Sequence, residues 1–309
     1  MAKARELRRR IRSVENTRQI TKTMEMVATS KLKRAQDRVA AARPYAAALA
    51  ELLADLYSRD LAERFPLLRQ PAGAARRVAL LLITSNRGLC GAFNGNLIRE
   101  ARQRMAELEG AGTEVELHGI GRKGIGFFRY VGRALASQRQ DIGDRPTPAH
   151  AAEVMGPLMD RFAGGELDAV EVVYAQFKSP LSTPPAVMRI LPVTPPAGAA
   201  RRIGGPADRR GPRAAQPPIR PSAPNYILRP SGDEIVGAIL PLYVRNQMFR
   251  ALVETAAAEQ GARRTAMKNA TDSAGDMIDA LRRTFNRARQ AQITQEIAEI
   301  VGGAEALKG

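Results

Sequence analysis

Residues 241–301 read PLYVRNQMFRALVETAAAEQGARRTAMKNATDSAGDMIDALRRTFNRARQAQITQEIAEIV, with no proline after the first position. Apolar or small side chains recur there at steps of three and four: Phe249, Val253, Ala256, then Met267, Ala270, Ala274, Met277, Leu281, Phe285 and Ala288. That repeat is close to the 3.5-residue period of a supercoiled helix, narrower than the stripe of a globular-core helix. An unbroken helix of this length spans roughly 90 Å at about 1.5 Å per residue and needs a partner to cover its seam.

The other end of the chain supplies one. Leu7, Ile11, Val14, Arg18, Thr21, Glu25, Ala28, Leu32, Ala35, Val39, Ala42, Ala46, Leu49, Leu53 and Leu56 alternate steps of four and three without a slip, and twelve of the fifteen are apolar. This is a heptad seam. It turns polar at Arg18, Thr21 and Glu25, where Ile20, Met24 and Val27 offer a neighbouring apolar face. Pro44 lacks the donor to residue 40 and is expected to bend or break the helix. One long helix at each end predicts an antiparallel intramolecular coiled coil, in preference to two separate bundle helices.

Between the helices the period changes. Arg77–Thr84 (RVALLLIT) is a continuous apolar run of strand length, followed by a Gly-rich turn and an amphipathic helix near 94–109. Strands are expected at Val115–Ile120, Val170–Phe177 and Val187–Val193, with helices at Ile125–Val131 and Ala149–Phe162. Near-continuous apolar strands alternating with helices indicate a doubly wound, Rossmann-like α/β domain. The fold class is therefore α/β: an N-terminal coiled-coil helix (1–60), an inserted α/β domain (76–194), a Pro/Arg-rich linker (195–230) and a C-terminal coiled-coil helix (231–309). Residues 195–224 hold eight prolines, six arginines and one acid, a composition that builds no core and predicts an extended basic linker. Asp233–Leu240 is expected to be a short helix capped by Ser231, with Pro241 in the opening turn of the long one.

The net charge of +17 implies an acidic partner. The excess is uneven: residues 1–45 carry 13 Lys/Arg against 4 Asp/Glu, and residues 233–309 carry 10 against 10. Cys90, the one cysteine, forms no internal disulfide and suits a reducing compartment. No apolar run approaches the roughly 20 residues of a membrane span, and Glu6 and Glu15 argue against reading the Arg-rich start as a transit peptide.

Catalytic chemistry is hard to find. Gly119-Ile-Gly121-Arg-Lys-Gly124 is a literal GxGxxG, but it follows the second strand and holds Arg122 and Lys123 in the turn, so it reads as a structural turn. The turn Asn86–Gly91 lies where α/β proteins bind ligands, yet it offers no acid–base pair. No phosphate loop exists. His118, His150 and Cys90 lack metal-ligand spacing, and Cys90 has no nearby base in sequence. Cofactors and metals are expected to be none. Two rivals remain: a basic coiled coil that grips nucleic-acid phosphates, and a nucleotide-dependent α/β enzyme.

The termini carry more than periodicity. The run Asn16-Thr17-Arg18-Gln19-Ile20-Thr21-Lys22-Thr23-Met24-Glu25-Met26-Val27-Ala28, then Ser30-Lys31 and Arg43-Pro44-Tyr45, closely resembles the N-terminal helix of gamma subunits of the rotary ATP synthase. So do Met267-Lys268-Asn269-Ala270-Thr271-Asp272, Phe285-Asn286-Arg287-Ala288-Arg289-Gln290, and the closing Ile293-Thr294-Gln295-Glu296-Ile297 to Glu299 and Gly303-Ala304. Arg87–Gly91 and Gly124–Phe128 match in the middle, so the resemblance covers the chain except about 178–224.

The resemblance implies a non-catalytic central-stalk rotor in a bacterial-type enzyme. Its terminal helices turn inside a ring of alpha and beta subunits, coupling ion flow to ATP synthesis. Its α/β domain binds epsilon and sits on the membrane c-ring, with delta elsewhere in the complex, and no nucleic acid is involved. It also implies a peripheral place on the cytoplasmic side of the cell inner membrane. Carried over by matching motif, Met24, Arg289, Gln290, Thr294 and Glu296 are the expected rotor–ring coupling positions. Ile293, Ile297, Ile300, Val301 and Leu307 suit an apolar bearing. Arg229 before Pro230 departs from the family's usual acid, and Cys90 alone excludes control through a cysteine pair.

Overall fold

The first strand sets the frame, because a run of six apolar residues with no alternation must be covered on both faces. In the computed structural model, which describes residues 2–56, 64–70, 73, 75–194 and 232–306 (the side chains of 2–4, 54–56, 232–233 and 304–306 aside), β1 (Arg77–Ile83) is buried from Val78 onward. It lies inside a five-stranded sheet of order β3-β2-β1-β4-β5, with β2 at Glu114–Ile120, β3 at Ser137–Arg139, β4 at Ala169–Ala175 and β5 at Pro185–Leu191. The first four strands are parallel and β5 returns antiparallel to β4. The crossovers run through α2 (Phe93–Gly110), α3 (Arg122–Tyr130) and α4 (Pro148–Ala163). The chain winds from β1 to one side and then crosses back to start β4 on the other.

Two long helices complete the chain, α1 (Ala2–Leu56) and α5 (Gly232–Ala306), with a 3₁₀ turn at Pro66–Leu68 between α1 and β1. One compact unit is built from α1 up to Lys31, Leu89–Gly91 and α5 from Gln260 on; the other holds α1 from Leu32, the sheet with its helices, and α5 up to Glu259. In the second unit the core joins Leu53 of α1, Leu81 and Val172 of the sheet, Met155 and Phe162 of α4, and Val244 and Met248 of α5.

The expected strands and helices are all present to within a few residues. Four local features differ from expectation. β3 is a short edge strand of three polar residues, and neither length nor period announces it. Pro44 neither breaks α1 nor ends it; the residue faces solvent and the helix continues. Pro241 lies inside α5 and does not open a second helix. Val236, Leu240, Val244 and Met248 are all buried at i, i+4 spacing across it, and that shared packing offsets one missing donor. Third-strand and proline effects apart, Ile20 and Val27 are 60% and 51% exposed, whereas Thr21 is buried. The expected linker 195–230, the Ser231 cap, Arg229 and Leu307 lie outside the described residues.

Candidate functional site

The first unit is organised by a helix pair. On α1 the seam runs through Leu7, Ile11 and Val14, half-buried, to Thr21 and Ala28, buried. On α5 it runs through Met267, Thr271, Ala274 and Ile278, buried, to Leu281, Phe285, Ala288 and Gln292, half-buried. These α5 positions alternate four and three, so the heptad is real, but it takes Thr271 and Ile278 in place of Ala270 and Met277. Met277 is 54% exposed. Adjacent residues sit only about 100° apart on a helix, and the partner decides which of them faces in.

Three contacts fix the direction. The Thr271 hydroxyl donates to Thr21 Oγ1 at 2.9 Å, Arg282 pairs with Glu15 at 2.8 Å, and the Arg8 guanidinium lies 5.6 Å from the Phe285 ring centroid. Numbers fall on α1 as they rise on α5, so the pair is antiparallel. The threonines form a closed polar layer, since Thr21 passes its own proton to the Arg18 carbonyl at 3.0 Å. A satisfied polar layer in an apolar seam selects register. The Glu15–Arg282 pair is exposed and contributes little to stability.

Of the expected coupling positions, Met24 is half-buried on α1, while Arg289, Gln290, Thr294 and Glu296 are exposed on α5. Thr294 donates to the Gln290 carbonyl at 3.0 Å, and Glu296 accepts from Gln292 at 2.9 Å, both along the helix. The four α5 residues share one stretch. Met24 does not join them: Thr21 faces Thr271, and Arg289 lies roughly 27 Å further along at about 1.5 Å per residue. Ile293, Ile297, Ile300 and Val301 are 47–72% exposed and form an apolar stripe beside the four polar positions.

In the second unit, the crevice where α/β proteins bind ligands is the switch between β1 and β4. Here α5 occupies its β4 side. Residues 251–259 are buried all round; Thr255 Oγ1 accepts the Ala175 N–H at 3.2 Å and Glu254 Oε2 accepts that of Phe177 at 3.3 Å. Glu254 also takes the Arg250 Nε at 2.8 Å. The sheet therefore grips a helix at this edge. Sequence reasoning missed Glu254 and Thr255, although polar residues inside the Ala-rich run LVETAAAEQ are the signal that could have found them.

The GxGxxG is occupied from within. The N–H groups of Arg122, Lys123 and Gly124 go to Asn86 Oδ1, the Ser85 carbonyl and Thr84 Oγ1 at 2.9, 3.1 and 2.9 Å. Gly121 has φ +95°, and a Cβ there would lie 2.0 Å from the Thr84 carbonyl oxygen. These glycines let β2 and α3 close onto the end of β1, and the donors a pyrophosphate would need are already taken.

The histidines are structural. His150 shares a reciprocal capping box with Thr147 at the start of α4. His118 is buried with Nδ1 2.7 Å from Ser137 Oγ, and burial pushes its pKa down, so it stays neutral. Cys90 is buried. Among the described residues no cluster of His, Cys, Asp and Glu could hold a metal ion.

Comparison with known proteins matches this geometry to one family. The ATP synthase family model matches residues 3–307. An ATP synthase gamma chain of Gemmatimonas aurantiaca is 62% identical over the full length of both chains. One from Leptospira biflexa is 40% identical, over 99% of this chain and 100% of its own. Among solved structures, the central stalk of the Tetrahymena thermophila mitochondrial ATP synthase aligns with a TM-score of 0.58 at 25% identity, covering 81% of this chain and 99% of the other. A chain of the Euglena gracilis mitochondrial ATP synthase aligns with a TM-score of 0.67 at 18% identity, over 99% and 95%, and bears on the fold alone.

Proposed function

This chain belongs to the ATP synthase gamma-chain family, the non-catalytic central-stalk rotor subunits, and on that premise we propose that its α1–α5 pair carries torque to the catalytic ring. The catalytic sites lie in the beta subunits, and the chain acts within the membrane-associated enzyme. The observation that carries the reading is the antiparallel seam locked at Thr21–Thr271. A helix pair held in register resists axial slip, which a shaft must do to transmit rotation. Among the described residues no helix is long and apolar enough to cross a membrane.

In this reading Met24, Arg289, Gln290, Thr294 and Glu296 meet the alpha and beta subunits at two levels of the shaft. The exposed stripe Ile293–Val301 runs against an apolar collar. The basic face of α1 meets acidic loops of the ring, and the α/β domain engages epsilon and the c-ring, with delta completing the complex. The assembly works on the cytoplasmic side of the inner membrane.

Neither rival reading has support. A nucleic-acid-binding coiled coil is set aside because the full-length relatives are gamma chains, and several α1 cations are engaged internally: Arg8 on Phe285, Lys22 with Glu25, Lys33 with Asp37 and Arg38 with the Asp144 carbonyl. A dinucleotide enzyme is set aside because the glycine turn's donors are consumed within the fold.

The test is reconstitution. The purified chain alone shows no ATPase activity, and adding it to alpha and beta subunits yields a complex that hydrolyses ATP and rotates. Failure to enter that complex would remove the assignment of the ring as its partner.

A further inference from the structure

A groove of about 630 Å³ opens in the second unit between α1, the start of α4 and the first turns of α5. That volume is typical of small-molecule sites. Both long helices present an i, i+3, i+4, i+7 face to it: residues 38, 41, 42 and 45 on α1, and residues 242, 245, 246 and 249 on α5. The space exists because α1 contributes alanines at its two middle positions, where larger side chains would have closed the packing.

The lining divides sharply by chemistry. Tyr45, Leu242 and Phe249 give an apolar wall. The polar part is cationic or donating: Arg38, Arg245 and Asn246, with no acid among the described lining residues. Asn246 is 9% exposed, and its Nδ2 is buried without a hydrogen-bond partner. A buried amide left unpaired costs about 1–3 kcal/mol, so the site wants an acceptor there. The α4 N-terminus, with Pro148 and Ala149 in the lining, adds the positive end of a 16-residue helix. Arg38 is held in place by donating one Nη1 bond to the Asp144 carbonyl at 3.1 Å, and a guanidinium has further donors.

We infer that this groove binds a small apolar molecule with one anionic head, either a fatty-acyl carboxylate or an alkyl phosphate. The head lies between the two arginines and accepts from Asn246 Nδ2 once that amide turns out of its buried position toward the groove, and the hydrocarbon body lies along Tyr45, Leu242 and Phe249. The inference stands on the groove itself and is independent of which ring positions carry coupling.

Isothermal titration of the purified full-length chain with decanoate, decyl phosphate and decanol, each below its micellar concentration, tests this. One decanoate or decyl phosphate per chain is expected, and the tighter of the two names the head group. Decanol is expected to bind at least ~10-fold more weakly, because it lacks the charge-assisted bonds. Arg245→Gln, at an exposed position, and Asn246→Leu each weaken the anion by about 10-fold or more. Asn246→Leu also raises the melting temperature of the ligand-free chain, since it removes the orphaned amide, which shows that the variant is folded. No saturable anion binding, equal binding of decanol, or unchanged affinity in both variants would overturn the proposal. Loss of binding on assembly of the chain into its complex would also overturn it, since a polypeptide would then be the occupant.

Discussion

The polar layer in the seam yields a prediction whose sign depends on pairing. Thr21→Val leaves the Thr271 hydroxyl with only the Met267 carbonyl at 2.8 Å; Thr271→Val leaves Thr21 Oγ1 without the donor it accepts from. Both side chains are buried, at 9% and 8% exposure, so neither loss is made good by bulk water. Each single change is expected to cost about 1 kcal/mol. The double change replaces both hydroxyls by methyls of the same shape and is expected to fall within about 0.5 kcal/mol of the parent. The coupling energy of the cycle is then about 1.5–2 kcal/mol and favourable to the pair. Native-state amide exchange across residues 14–25 and 267–278 reads this locally, where about 1 kcal/mol is roughly a fivefold change in the open population. The register role adds a second readout. The double variant keeps local stability but loses the polar mark that selects one alignment, so its ATP turnover is less tightly coupled to rotation. Additive single effects in exchange would refute the shared hydrogen bond and, with it, the account of how this seam chooses its register.

Three further outcomes follow from other parts of the structure. Burial alone pushes the Glu171 carboxyl up, but hydrogen bonds from Arg104 and Arg189 at 2.7–3.2 Å outweigh it and hold it below its usual 4.5. A depressed folded value stabilises fully above about pH 4.5 and is lost as pH falls through that lower value. Glu171→Gln should therefore destabilise by about 2–3 kcal/mol at pH 7, with the gap from the parent closing as acid is added in urea melts. Gly121→Ala forces a Cβ against the Thr84 carbonyl at positive φ and should prevent recovery of folded α/β domain, whereas Gly126→Ala, with nothing within 4 Å, should stabilise α3 by up to about 1 kcal/mol; circular dichroism melts separate the two. Met24→Lys puts a charge at a half-buried shaft position and should lower ion pumping per ATP more than it lowers hydrolysis, measured in vesicles with the assembled enzyme; an unchanged ratio would take Met24 off the coupling face.

Much of this was legible in one dimension. The strict four–three spacing from Leu7 to Leu53 identified a face that the fold buries or half-buries at every step but Arg18, because a helix fixes which residues share a side whatever lies opposite. The unbroken run Val78–Ile83 and the run Val170–Ala175, interrupted only by Glu171, declared strands covered on both faces, and both are. The ring-facing set was legible only as motif: nothing in the exposure of Arg289, Gln290, Thr294 or Glu296 separates them from ordinary helix surface.

What the amino-acid order determined by itself was periodicity, and hence the existence of two long amphipathic helices and an apolar parallel sheet. Tertiary structure decided between neighbours that the period leaves nearly equivalent. Ile278 is chosen over Met277, and Thr21 over Ile20 and Val27, because one partner helix presents a matching knob or hydroxyl at that height. Only tertiary structure, too, placed Thr255 on the last backbone N–H of β4 and Glu254 on that of Phe177 just past it, turning a ligand crevice into a grip on α5. Local spacing is set by bonds along one helix. The choice among adjacent faces is set by free energies of contact, and these exist only once the second helix has arrived.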